Sequence, residues 1–191
     1  GIVLLLFAFV PQFGAEGVWV SVFTAISAFC NAGFDLFGRF GAYSSLVPYV
    51  NNYYVQAVIM FMIMAGGLGF MVWVELAEYR KKRRLSLHAK VVLQFSVIFW
   101  VGGAVLLALL EWSNPRTMGG LSVPGKIMAA LFQSVSTRTA GMNTIDLAAC
   151  SPISKLLMSV LQFIGAAPGS TGGGVKVTTF AVLILTIRSV A

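Results

Sequence analysis

The chain has 191 residues, of which 58% are apolar and 10% charged, whereas a soluble domain usually has about a quarter of its residues charged and less than half apolar. This composition excludes an ordinary soluble enzyme and indicates a membrane protein. The net charge of +7 does not indicate nucleic-acid binding, because six of the thirteen basic residues lie in residues 80–90, between long apolar runs.

The chain opens on nine consecutive apolar residues, 2–10. A membrane-spanning helix needs about twenty, and the run has neither the initiator Met nor the charged leader of a signal peptide. We therefore expect it to be the end of a helix whose beginning is missing, and the chain to be a fragment. A second apolar segment, residues 18–29, is also too short to span and precedes small and polar residues.

Two longer runs, residues 53–74 and 91–110, contain no charged residue and are long enough to cross a bilayer. The basic residues of segment 80–90 lie between them, and such a loop marks the cytoplasmic side. The first run is therefore predicted to run inward and the second outward, in a multi-pass protein of the cell membrane. The basic loop could also contact anionic membrane lipid or a cytoplasmic partner.

A third apolar run, residues 156–187, contains a single charge, Lys176. As a continuous helix it would be about 48 Å long, against a hydrocarbon core of about 30 Å. Four glycines and a proline lie within residues 168–174 and predict a break there. Irregular backbone at membrane depth should face a cavity.

Residues 18–34 and 126–142 form an internal repeat that aligns without gaps. Each has about three turns of apolar helix, then small or polar residues, then Ala-Gly and a large apolar residue. Because two full spans separate the repeats, both short helices enter from the same face. The pattern predicts an all-α membrane protein with parallel repeats of span, re-entrant helix and span around a pore.

Such a pore is predicted to select cations. The carboxyl end of a half-helix carries a partial negative charge, and the extended stretch behind it can turn backbone carbonyls toward an ion. Gly33 and Gly141 suit this role because glycine readily adopts left-handed conformations. Either glycine alone could serve helix packing, but their place in matched segments favours the filter.

The strings SAFCNAGFDL, SVSTRTAGMNTID and APGSTGGGVKVTTF resemble the second and third pore loops and the broken span of the Trk/Ktr/HKT superfamily of potassium transporters. The resemblance is closest to the KtrB type of membrane subunit. It implies four M1-P-M2 units around one pore. The chain would hold pore unit two in residues 1–79, the cytoplasmic basic loop in 80–90, and pore unit three in 91–191.

The resemblance also implies site residues and partners. Potassium ions, and sodium ions as a second candidate in symport, would pass carbonyls at Asn31, Ala32, Gly33, Thr139, Ala140 and Gly141. An intramembrane gating loop would comprise Gly169, Ser170, Thr171, Gly172, Gly173, Gly174 and Lys176. The implied assembly is a homodimer on nucleotide-binding KtrA-type subunits, without an organic cofactor on this chain. Cys30 and Ser136-Thr137 depart from the usual pattern but shift no glycine.

Two charged residues, Arg138 and Lys176, are predicted to lie at membrane depth, where a charge usually belongs to a functional site or an ion pair. We expect Arg138 to be a clamp that holds filter carbonyls or a carboxylate, because a bare cation on the axis would repel potassium. Lys176 fits either a gating role or snorkelling to the interface. Asp35 and Asp146 could attract cations or be ordinary solvated carboxylates.

No catalytic constellation occurs in the sequence, and the glycine-rich string is a poor phosphate-binding loop because Val175 interrupts Gly-Lys. We therefore predict a potassium-conducting subunit that is not an enzyme. The alternative is a non-conducting membrane module whose glycines serve helix association and whose basic loop docks a cytoplasmic partner.

Overall fold

A computed structural model describes residues 1–190, and within them the chain is all helical apart from an isolated bridge between Ile164 and Val175. The predicted all-α class is confirmed. The helices of the described residues are α1 (Ile2–Phe13), α2 (Ala15–Phe29), α3 (Tyr53–Gly67), α4 (Phe70–Lys82), α5 (Leu87–Glu111), α6 (Val123–Ser136), α7 (Pro152–Phe163) and α8 (Val177–Val190), with short 3-10 helices at Phe37–Phe40 and Val47–Tyr49.

Helix α5 has 25 residues and is, within residues 1–190, the one unbroken helix whose length and composition would let it cross a membrane. It contains the predicted span 91–110 and begins earlier, at Leu87. The Ser86 side chain fixes this start, since its hydroxyl accepts a hydrogen bond from the Ala89 amide at 3.1 Å.

Residues 53–74, predicted as a membrane span, do not form one continuous helix. Helices α3 and α4 are bent by 99° relative to each other, and Gly69 between them has a φ of +85°. Glycine adopts this left-handed conformation without the steric cost that other residues have. Gly69 is therefore a backbone hinge.

The basic segment 80–90, predicted as a loop, is mostly helical. Helix α4 continues to Lys82 and α5 begins at Leu87, so only residues 83–86 connect the two. Glu75 closes this connection, because its carboxylate accepts hydrogen bonds from the Ser86 amide at 2.8 Å and the Ser86 hydroxyl at 2.7 Å.

The predicted break in the third apolar run is confirmed. Helix α7 ends at Phe163 and α8 begins at Val177, which leaves residues 164–176 outside both helices. The ends of this break are held together, since the Gly165 amide donates to Val175 O and the Val175 amide to Phe163 O, both at 2.9 Å.

The repeat also agrees with the helix bounds. Helices α2 and α6 begin at Ala15 and Val123, which are matched positions when the predicted repeat is extended backwards, and their ends match to within one residue. Helix α3 packs against both. One buried apolar cluster includes Leu5, Ile59 and Phe132, so the two predicted units share a core at the place where the two repeats meet.

Candidate functional site

The two loops that follow α2 and α6, residues 31–33 and 139–141, share the same pattern of positive φ angles. Asn31 and Gly33 have φ values of 50° and 76°, and the matched Thr139 and Gly141 have 73° and 86°. The alanine between each pair is not among the residues with positive φ. This alternation lets successive carbonyls turn toward one side, which is the arrangement that a dehydrated cation requires.

The loops touch each other at their glycines. A Cβ atom added to Gly33 would lie 2.5 Å from Ala140 O, and one added to Gly141 would lie 3.3 Å from Gly33 Cα. A side chain at position 33 would therefore displace a carbonyl of the neighbouring loop.

A serine near the end of each short helix anchors the loop behind it. The Ser27 hydroxyl donates to Phe34 O at 2.6 Å, and the Ser136 hydroxyl donates to Met142 O. Phe34 and Met142 are matched positions of the repeat, whereas the two serines are not. Sequence reasoning missed both contacts, and a serine in the last turn of each repeat was the available signal.

The loops begin where the helix dipoles end. Helices α2 and α6 stop at Phe29 and Ser136, and within Ala15–Phe29 and Val123–Ser136 the last turns contain no basic residue. The partial negative charge of each carboxyl end is thus directed at its loop without a neutralising side chain on the same turn.

Part of both loops lines a cavity of about 630 Å³. Ala32 contributes from one loop, residues 139–141 from the other, and Gln133 and Gln162 add polar side chains behind them. The loops are therefore accessible to a small hydrophilic ligand or ion on this face.

The glycine-rich segment, residues 169–176, lies against both loops. The Thr171 hydroxyl donates to Phe29 O at 2.9 Å, and the Gly173 amide donates to Thr139 Oγ1 at 3.0 Å. A Cβ atom on Gly172 would lie 3.0 Å from Asn31 Nδ2. The structure thus brings this segment together with the two loops, although the whole of helix α7 lies between it and the second loop in the sequence.

The same broken region is hydrogen-bonded to the α3–α4 hinge. The Ala167 amide donates to Gly67 O at 3.0 Å, the Thr171 amide to Gly66 O at 3.3 Å, and the Phe70 amide to Gly169 O at 3.0 Å. Backbone groups that lack an intrahelical partner at one helix break are therefore hydrogen-bonded to backbone groups at the other break.

Lys176 remains within this segment. Its ammonium group donates to Gly172 O at 2.6 Å, and within residues 1–190 the two ion pairs, Arg39–Glu16 and Lys82–Glu78, do not involve it. The charge therefore stabilises the fold of the segment on itself, which does not correspond to a side chain extended to the interface.

Arg138 is a clamp, but not on the expected partner. Its Nη2 donates to Gly165 O at 2.6 Å, and its guanidinium carbon lies 5.5 Å and 5.8 Å from the ring centroids of Phe99 and Trp100, within cation–π range. The side chain was expected to hold loop carbonyls or a carboxylate. Instead, it donates a hydrogen bond to Gly165 O, a carbonyl within the break between α7 and α8.

The carboxylates flanking the loops have backbone or basic partners. Asp35 and Asp146 accept from amides two residues further on, at 2.9 Å and 2.8 Å. Arg39 pairs with Glu16 at 2.5 Å, and this hydrogen bond and charge lower the pKa of the Glu16 carboxyl. The pair joins the start of α2 to the segment that follows the first loop.

Glu111 is a buried acid that sequence reasoning missed. Its carboxylate accepts hydrogen bonds from Asn114, Thr117 and Ser154 side chains at 2.7, 2.7 and 2.5 Å and from the Ser151 amide at 2.8 Å. It thereby fixes the start of α7 against the end of α5. In the sequence, the signal for this site was a single acidic residue at the end of an apolar run.

Comparison with known proteins finds relatives that are named as potassium or potassium/sodium uptake proteins. The potassium/sodium uptake protein NtpJ of Enterococcus hirae is 38% identical over 99% of this chain and 41% of its own length. The Ktr system potassium uptake protein B of Vibrio alginolyticus is 41% identical over 97% of this chain and 40% of its own. The chain thus spans about two fifths of the length of these relatives.

The fold has a counterpart among solved structures. The potassium transporter TrkH from Vibrio parahaemolyticus superposes with a TM-score of 0.73 over 98% of this chain and 39% of that protein, at 22% sequence identity. Residues 2–191 match the TrkH family, described as cation transport protein. These findings confirm the resemblance that the three loop strings indicated, and the chain belongs to the TrkH family of cation transport proteins.

Proposed function

We propose that the chain forms part of the ion-conducting pathway of a membrane potassium uptake protein. One observation carries the proposal: two sequence-related loops, 31–33 and 139–141, share a left-handed backbone at their first and third residues and touch at Gly33 and Gly141. In this interpretation their carbonyls replace the hydration shell of a passing potassium ion. The names of the relatives support potassium as the cargo.

The pathway needs more than this chain. Residues 1–79 and 91–191 supply pore units two and three, and the remainder of the full-length protein supplies units one and four. The basic segment 80–90 faces the cytoplasm of a multi-pass membrane protein. Sodium is a second candidate cargo, because NtpJ is named a potassium/sodium uptake protein, and the chain itself needs no organic cofactor.

The segment 169–176 is the proposed gate. Its support is its position against both loops, at Gly172 and Gly173, and its hydrogen bond to Phe70 beside the hinge at Gly69. Glycine-rich backbone can change conformation at low steric cost. The homodimer and the KtrA-type cytoplasmic subunits, which the family resemblance implies, belong to the same proposal. The Ktr system name of one relative supports a partner subunit.

The filter is tested with Gly33→Ser and Gly141→Ser in the full-length protein. The new side chain at position 33 would press on Ala140 O, 2.5 Å from its Cβ. We expect the preference for potassium over sodium to fall about tenfold, which corresponds to ~1.4 kcal/mol. Gly102→Ser is the control, since a Cβ there meets nothing within 4 Å. Unchanged selectivity in folded variants would favour the non-conducting module.

The gate is tested by deleting Gly172 and Gly173 from the full-length protein. If the segment obstructs the pathway, the shortened segment should raise potassium flux into proteoliposomes severalfold while the selectivity remains. A folded deletion variant with wild-type flux would remove the gating role and leave the filter proposal intact.

A further inference from the structure

A small cavity lies between the first loop, the second short helix and the break in the α7–α8 region. Its volume is about 10 Å³, and its lining residues are Asn31, Ile63, Gly67, Trp100, Val135, Arg138 and Ala166. This volume is at the lower limit of what one water molecule occupies. A hydrated ion does not fit.

Two polar atoms of the lining residues have no hydrogen-bond partner within residues 1–190. One is Nε of Arg138 and the other is Oδ1 of Asn31, and the residues are 4% and 8% exposed. Buried polar groups in proteins are almost always hydrogen-bonded, to the protein or to ordered water. The two residues that carry this donor and this acceptor line the same water-sized space, and no protein group among the described residues satisfies either atom.

We propose that this cavity binds one ordered water molecule, which accepts a hydrogen bond from Arg138 Nε–H and donates one to Asn31 Oδ1. Buried waters typically make two to four hydrogen bonds to groups of this kind. A cation is excluded by the guanidinium charge, and the walls at Ile63, Val135 and Ala166 offer apolar side chains only.

The water gives Arg138 a second role. The guanidinium already donates to Gly165 O at 2.6 Å, so the water would extend this contact to Asn31 in the first loop. Arg138 is then a positioning residue that couples the 31–33 loop to the α7–α8 break. The water site stands on the geometry alone, whereas an effect on ion selectivity rests on the proposed filter.

Gly67→Ala tests the site. A Cβ on Gly67 would lie 3.5 Å from Asn31 Nδ2 and 3.8 Å from Ala166 Cβ, so the methyl group fits against the protein but takes the space of the water. In a dry cavity the added methyl and the better helix former would raise the melting temperature. In a hydrated one the variant displaces the water and leaves two buried groups unsatisfied, which lowers it.

The matched control is Gly102→Ala, which lies within α5 and whose Cβ meets nothing within 4 Å. We expect Gly102→Ala to keep or raise the melting temperature of the full-length protein and Gly67→Ala to lower it. A density peak between Arg138 and Asn31, in a structure that resolves ordered waters, should be present in the wild type and absent from Gly67→Ala. A rise for both variants, or no peak in the wild type, would overturn the proposal.

A measurement of potassium selectivity distinguishes a failure of this proposal from a failure of the filter proposal. A lower melting temperature with reduced selectivity supports the coupling of Asn31 to Arg138. A lower melting temperature with unchanged selectivity overturns that coupling while the water site remains. The filter itself fails only if Gly33→Ser also leaves selectivity unchanged.

Discussion

The two loops have left-handed φ values at matched positions, but the residue types there differ in how readily they adopt such values. Asn31 has a φ of 50°, and asparagine is one of the few residues that adopt such values readily. Thr139 has a φ of 73° and is β-branched, so its backbone is strained by about 1–3 kcal/mol. The hydrogen bond that its hydroxyl accepts from the Gly173 amide at 3.0 Å helps to hold that conformation.

This asymmetry predicts opposite outcomes for two substitutions of Thr139. Thr139→Val keeps the strain and removes the acceptor for the Gly173 amide, so we expect a loss of ~1 kcal/mol in stability. Thr139→Asn relieves the strain and retains an acceptor oxygen, so its melting temperature should equal or exceed that of the wild type. Thermal unfolding in detergent measures both, and equal melting temperatures for the two variants would contradict this account.

Residue types predicted only part of the loops. Gly33 and Gly141 were recognisable because glycine readily adopts left-handed conformations and because they lie in matched segments of the repeat. The partners of Ser27 and Ser136 were not, since these serines bind carbonyls seven and six residues away and occupy unmatched positions of the repeat. Contacts of this kind depend on the exact helix end, which the apolar pattern does not fix.

At the level of elements, the chain contains two broken helix pairs that support each other, and Gly69 is where this can be tested. Its φ is +85°, and a Cβ there would lie 2.5 Å from Pro168 O. We expect Gly69→Ala to destabilise the protein by more than ~1 kcal/mol and to alter potassium uptake through the hydrogen-bonded segment 169–176.

The control for this prediction is Gly38→Ala, whose Cβ meets nothing within 4 Å. Melting temperature and uptake rate in the full-length protein are the measurements. If Gly69→Ala behaves like Gly38→Ala in both, the hinge does not hold the glycine-rich segment.

The two breaks differ in how visible they were in the sequence. Residues 168–174 combine proline with four glycines, which no helix tolerates, so the break after α7 was predictable. The α3–α4 hinge has glycines alone, and closely packed membrane helices use glycines equally often. The bend there is stabilised by backbone hydrogen bonds from residues of a much later part of the chain, at Ala167 and Gly169, and no local pattern reports such partners.

At the level of the whole molecule, the two loops and the two helix breaks meet in one region inside an apolar bundle. Hydrogen bonds join segment 169–176 to the 139–141 loop, to the end of α2 and to the residues beside Gly69, and the 31–33 loop approaches the 139–141 loop at Gly33. A movement of segment 169–176 would therefore break contacts with each of its hydrogen-bonded neighbours. The outer faces are apolar: residues 182–185 of α8, for example, are all exposed. This distribution suits a protein surrounded by lipid and by the remaining pore units.

The arrangement also predicts which ends face the cytoplasm. Gly38 follows the first loop, Arg84 lies in the connection between α4 and α5, and the α3–α4 pair separates them. Both positions are exposed. Because basic residues concentrate on the cytoplasmic side, Arg84 should be inside and Gly38 outside.

In a full-length protein with Cys30→Ser and Cys150→Ser, a membrane-impermeant thiol reagent should label Gly38→Cys in intact cells. The same reagent should label Arg84→Cys only after permeabilisation, because the bilayer separates that position from the medium. Labelling of Arg84→Cys in intact cells would reverse the orientation. It would also contradict the proposed cytoplasmic placement of the basic segment 80–90.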